Sequence, residues 1–129
     1  MDKELISYLV ERDDITQLGY VDRNTLLEYL YNSKALIMPS EYEGFGIPPL
    51  EALYLGKPVI VSDIEVFKEI YKDLPVAFFK SKDFYSLKDE LLNLSSNINF
   101  ENVRLLINKK YSYMESAIKI KDLIKFYLE

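Results

Sequence analysis

All four glycines of this chain, Gly19, Gly44, Gly46 and Gly56, lie in its first half, and beyond Pro75 there is neither glycine nor proline. Those two residues punctuate loops more strongly than any others. The chain therefore divides into a turn-rich half, able to alternate short elements, and a helix-rich half. Residues 3–12 carry Leu5, Ile6, Leu9 and Val10 at helical intervals, and 15–19 suits a short strand. Asp22 or Asn24 can cap a helix that places Leu26, Leu27 and Leu30 on one face. The compact apolar run 35–38, ended by Pro39, predicts a fully buried strand of a parallel sheet. Pro48 and Pro49 open the next helix, and Gly56 closes it. Strands at 59–62 and 76–79 flank a helix at 64–71, and the remainder is helical at 84–94, 101–111 and 114–129.

Regular strand–helix alternation implies parallel pairing through right-handed crossovers. The expected fold is α/β, half of a Rossmann-like doubly wound parallel sheet of about four strands, with a helical carboxyl-terminal tail. No repeat, low-complexity tract or linker interrupts residues 1–129, which read as one domain.

Composition removes several chemistries. With no cysteine there is no disulfide framework, thiolate nucleophile or cysteine metal site. With no histidine there is no serine–histidine–acid triad, and both the commonest general base and the favoured zinc ligand are missing. Any chemistry must run on carboxylates, lysine, tyrosine, hydroxyls and backbone dipoles. The 16 basic and 21 acidic side chains give a net charge of −5, opposite to the usual sign of a nucleic-acid-binding face. Apolar runs such as Ala35-Leu36-Ile37-Met38 are far shorter than the roughly 20 residues of a membrane span. The start, Met1-Asp2-Lys3-Glu4, carries no signal-peptide pattern. A cytoplasmic protein is the expectation.

Ligands of parallel α/β sheets bind outside the carboxyl ends of the strands, which directs attention to the loop after residues 35–38. The stretch Pro39-Ser40-Glu41-Tyr42-Glu43-Gly44-Phe45-Gly46-Ile47-Pro48-Pro49-Leu50-Glu51-Ala52-Leu53 leaves a strand and enters a helix, with two glycines flanking one aromatic. Gly44 and Gly46 suit either a tight turn or amides turned toward a ligand. A helix amino terminus attracts anions, and with Pro48 and Pro49 lacking N–H groups the donors expected here are Leu50, Glu51 and Ala52. Glu43, in the loop, can accept hydrogen bonds from a hydroxylated ligand. Glu51, expected in the first helical turn, can grip a cis-diol such as that of a ribose, or simply supply favourable charge at the helix start.

This stretch resembles the signature of retaining nucleotide-sugar glycosyltransferases of the family 4 type, which have the two-lobed GT-B fold. Its neighbours agree: Leu18-Gly19-Tyr20-Val21 before a helix, Gly56-Lys57-Pro58-Val59-Ile60 after the motif, and more weakly Ile64 to Glu69-Ile70. The resemblance covers roughly residues 15–79 and the helical tail only in outline. It implies that the chain is part of the carboxyl-terminal, donor-binding lobe, taking a UDP- or GDP-hexose as substrate. Carried over by position, Glu43 is the catalytic-site carboxylate at the donor sugar and Glu51 holds the ribose. Ser40 belongs to the same motif, the amides of Gly44, Phe45 and Gly46 face sugar and diphosphate, the Leu50 amide meets phosphate, and Tyr20 and Val21 lie near the base. The resemblance also implies no metal or other cofactor, with the helix dipole and basic side chains neutralising the departing diphosphate.

One departure stands out. The family's phosphate-clamping Arg/Lys pair lies upstream of the matched region, and Arg12, Arg23, Lys34 and Lys57 do not stand at matching positions. The amino-terminal acceptor lobe, the implied partner in catalysis, is also missing. The 129 residues are therefore expected to be an excised piece or a truncated gene product, inactive alone.

Two other clusters have bland readings. Eleven tyrosines, among them Tyr29, Tyr31, Tyr111 and Tyr113, suit partial burial with wet hydroxyls. Lys109, Lys110, Lys119, Lys121 and Lys125 suit a solvated helix face, a weak contact with the inner membrane surface being the sharper reading. In related two-lobed enzymes the last helix crosses to the other lobe, which would leave Ile118, Leu123, Ile124, Phe126 and Tyr127 short of a partner. The competing functions are a receiver-type domain phosphorylated at Asp63, with Asp13-Asp14 as its acidic pair, and a ligand-free α/β interaction module. The receiver is disfavoured because Asp13 and Asp14 precede their strand and belong at the opposite edge of the sheet.

Overall fold

The computed structural model describes residues 7, 11–95 and 97–112. Its elements run α1 (Arg23–Asn32), β1 (Leu36–Met38), α2 (Ile47–Tyr54), β2 (Val59–Ser62), α3 (Glu65–Tyr71), β3 (Val76–Phe79), α4 (Phe84–Leu92) and α5 (Phe100–Tyr111). The helices expected at 3–12 and 114–129, with the lysines and apolar side chains of the tail, fall mostly or wholly outside the described residues.

The strands pair in parallel in the order β1-β2-β3, with Ile37 opposite Ile60 and Ile60 opposite Ala77. β2 is central, and all four of its residues are buried. Val59, Ile60 and Val61 form the core with Leu53 and Ala52 of α2 and Phe67 and Tyr71 of α3. Each fully buried large aliphatic or aromatic side chain of this kind contributes roughly 1.5–3 kcal/mol. α5 packs on α2 through the buried Val103 and Ile107, and the Arg104 guanidinium donates to the Tyr54 carbonyl at 2.7 Å.

Two expectations are corrected. Among the described residues the sheet has three strands rather than about four, because 15–19 is not a strand. Ile15 and Leu18 there are 39% and 38% exposed, and no neighbouring strand supplies the hydrogen bonds that would hold the segment extended. The consecutive parallel order is that of one half of a doubly wound sheet. Finally, β1 is half-buried rather than fully buried, since it pairs on one side only and leaves Ile37 exposed.

The helix starts follow local chemistry. Asp22 caps α1, its carboxylate accepting from the Asn24 amide at 2.9 Å, the Thr25 amide at 3.1 Å and the Thr25 hydroxyl at 2.6 Å. Gly46 stands before α2 with φ +78°, and Pro48 and Pro49 occupy positions where a helix has no use for an N–H. Gly56, at φ +80°, ends that helix as expected.

Candidate functional site

The loops that follow the three strands meet at one end of the sheet and are tied together there. The Ser62 hydroxyl, at the end of β2, donates to the Ser40 carbonyl beyond β1. The Asp63 carboxylate accepts the Ser81 amide beyond β3 at 2.9 Å, and Lys82 pairs with Glu41 at 3.0 Å. The long loop after β1 is thus held to the two shorter ones, at the edge where parallel sheets take ligands.

Within that loop the Ser40 hydroxyl donates to Glu43 at 3.0 Å, so Glu43 is half-buried and oriented by its own loop. Gly44 is exposed, with nothing within 4 Å of where a Cβ would stand. Phe45 is partly exposed and meets the Tyr111 ring edge-on at 5.6 Å. Gly46 is buried against Phe67 and Tyr71, and the Tyr71 phenol donates to its carbonyl. Burial, then Tyr111, then Glu43 push the Tyr71 phenol far above its ordinary titration range, so it remains a donor.

Glu51 is placed differently from expectation. With α2 beginning at Ile47, it lies in the second turn rather than the first. Its carboxylate meets the Arg23 guanidinium at 2.6 Å and is only 18% exposed, against 70% for Arg23. Both line a cavity of about 350 Å³ between α1, α2 and α5, together with Leu27, Leu50, Tyr54, Leu55 and Ile107. The first amides of a helix have no partner inside it, and here those are Gly46 and Ile47, Pro48 and Pro49 having none. Leu50, 8% exposed, is the next amide along α2.

Tyr20 is 99% exposed and Val21 half-buried just ahead of α1. The Arg23–Glu51 pair brings that segment to the flank of α2. Ser40, Glu43 and Gly44–Gly46 thus form one cluster, while Glu51, Leu50 and the start of α1 form the next. A larger hollow of about 520 Å³ opens at the amino ends of β2 and β3, lined by Pro58, Pro75 and Glu90 among others, but it contains none of the motif.

The roles of two residues are not legible in sequence, where Arg23 stands off the family's positions. Arg23 lies 28 positions from Glu51, and only the folding of α1 against α2 joins them. Tyr71 reads in sequence as one more apolar face residue of a short helix. The receiver reading finds Asp63 engaged by the Ser81 amide, and Asp14 paired with Arg12 at 2.7 Å and correspondingly held below the usual carboxylate range. None of the helices among the described residues is long and apolar enough to cross a membrane.

Residues 3–104 match the family described as Glycosyl transferases group 1. The chain is 44% identical over 68 residues to the O-antigen chain mannosyltransferase RfbU of Salmonella typhimurium, covering 53% of this chain and 19% of that protein. It is 40% identical over 75 residues to the O-antigen chain mannosyltransferase B of Escherichia coli, covering 54% and 19%. The serotype-specific mannosyltransferase WbdA of Escherichia coli is 50% identical over 48 residues, covering 37% and 6%. The matched part of the chain spans about a fifth of the length of the first two of these relatives.

Proposed function

The chain belongs to the group 1 glycosyl transferases, and from that premise we propose that it forms the donor-binding part of a retaining hexosyltransferase. The substrate is a nucleoside-diphosphate hexose and the acceptor a glycan or lipid hydroxyl. The observation that carries the reading is the setting of two carboxylates around one helix start at the carboxyl edge of a parallel sheet. Glu43 stands before that start, held by Ser40, and Glu51 lies within the helix, held by Arg23.

In this reading Glu43 accepts hydroxyls of the donor sugar, and Glu51 takes the ribose diol through the lone pairs that Arg23 leaves open. The amides of Gly44, Phe45 and Gly46 face the sugar and diphosphate, with Leu50 and the start of α2 near the phosphates and Tyr20 and Val21 toward the base. Transfer breaks the bond between the anomeric carbon and the diphosphate oxygen, which leaves with the electron pair, while the acceptor oxygen bonds to that carbon from the same face and its proton passes to the departing diphosphate. The charge gathering on the diphosphate is met by the positive end of α2. Acceptor choice belongs to a second lobe outside this chain, and turnover requires both.

The relatives' names point to a mannosyl nucleotide as the first donor to try. Calorimetric titration of the chain with a panel of UDP- and GDP-hexoses is expected to give saturable binding of at least one of them. Failure of every member to bind at millimolar concentration contradicts the proposal and favours a ligand-free interaction module.

A further inference from the structure

Resting on the reading of this loop as the donor site, we propose that Tyr71 is a positioning residue for it. From a separate element, its phenol fixes the peptide planes that aim the Gly46 and Ile47 amides. Tyr71 ends α3 and has no exposed surface. Its hydroxyl donates to the Gly46 carbonyl, 25 positions earlier, and lies 3.5 Å from the Phe45 carbonyl. A peptide unit is planar and trans, so its C=O and N–H point in opposite directions. Holding the Gly46 carbonyl toward the core therefore turns the Ile47 amide outward, and holding the Phe45 carbonyl does the same for Gly46. Ile47 is 59% exposed at that point.

The hydroxyl is the informative part of this side chain. Phenylalanine would fill the same space against Phe67, whose ring lies 5.5 Å away. The Gly46 carbonyl, at a residue in the left-handed region before the helix, takes its hydrogen bond from this phenol. A phenol buried here at a desolvation cost both satisfies that carbonyl and fixes its direction. Tyr111 braces the same loop from α5: its ring meets Phe45, and its hydroxyl donates to the Ile70 carbonyl at 2.7 Å. α3, α5 and the loop are thereby fixed to one another around the group that Glu43 faces.

Titration of a hexose nucleotide into the 129-residue chain and into Tyr71→Phe, followed by amide resonances, tests this. The expected result is binding weakened roughly fivefold, as for the loss of one ordinary hydrogen bond, with the β2 core resonances of the ligand-free variant unmoved. A tyrosine of purely structural importance would shift those core resonances and leave affinity alone. Unchanged affinity in the variant, while the parent chain binds, overturns the positioning role by itself. No binding by the parent chain defeats the donor-site reading and this inference with it. Should Tyr71→Phe fail to fold, the unaltered chain still decides: a slowly exchanging phenolic proton with cross-relaxation to the Gly46 α protons supports the role, and its absence overturns it.

Discussion

A methyl group added at position 46 would meet Phe67 Cε1 at 2.7 Å and the Tyr71 hydroxyl at 2.9 Å, on a backbone already at φ +78°. Both neighbours are buried and cannot step aside. Gly46→Ala is therefore expected to cost on the order of 2–5 kcal/mol, combining left-handed strain with overpacking; a urea midpoint equal to that of the parent chain would contradict it. In sequence Gly44 and Gly46 look alike, and turn and ligand readings were equally open for both. The structure separates them: glycine at 46 is demanded by the fold, while Gly44 faces open space and no contact explains it. The two glutamates divide similarly. That they matter was legible from the motif, but the partner of each was not, because Ser40 is three residues from Glu43 whereas Arg23 is 28 from Glu51. Local chemistry can be read along a chain; a contact made by packing two helices cannot.

The elements that sequence located best are those with local signals. The strand at Val59–Ser62 is a continuous apolar run between a Gly-Lys-Pro turn and an aspartate, and it emerged unchanged. Helix ends shifted by a residue: Ile64 precedes α3 rather than opening it, without a side-chain cap, and Asn99 caps α5 with its side chain on the Asn102 amide at 3.2 Å. The segment 15–19 failed because extended chain is stabilised by its neighbour rather than by its own residues. At this scale the cap of α1 gives a pH prediction. The Thr25 hydroxyl first, with the amides of Thr25 and Asn24, holds the Asp22 carboxyl below its usual range. Its folded value is depressed, so the cap stabilises above the ordinary carboxylate range and is lost as pH falls through the folded value. Asp22→Ala should lower the thermal midpoint at neutral pH and match the parent chain in strong acid. A gap that persists undiminished in strong acid would show that the cap does not act through the ionised carboxylate.

Over the whole molecule, the parallel sheet gathers three loops at one end and cross-ties them through Ser62, Asp63 and Lys82. This edge, rather than the larger hollow at the amino ends of β2 and β3, is where the motif lies. Fold class was legible because alternation of strand and helix leaves few topologies. The extent of the sheet was not, since residues 15–19 form no strand among the described residues. The central claim is that Glu43 and Glu51 hold different portions of one activated sugar. It is tested most directly by titrating a hexose nucleotide and its parent nucleoside diphosphate into the chain, Glu43→Ala and Glu51→Ala. Glu51→Ala is expected to weaken both ligands by about 1.5–3 kcal/mol, the worth of a charged hydrogen-bonding group, whereas Glu43→Ala weakens only the hexose nucleotide. Equal losses for both ligands in Glu43→Ala, or none for either in Glu51→Ala, would contradict the account.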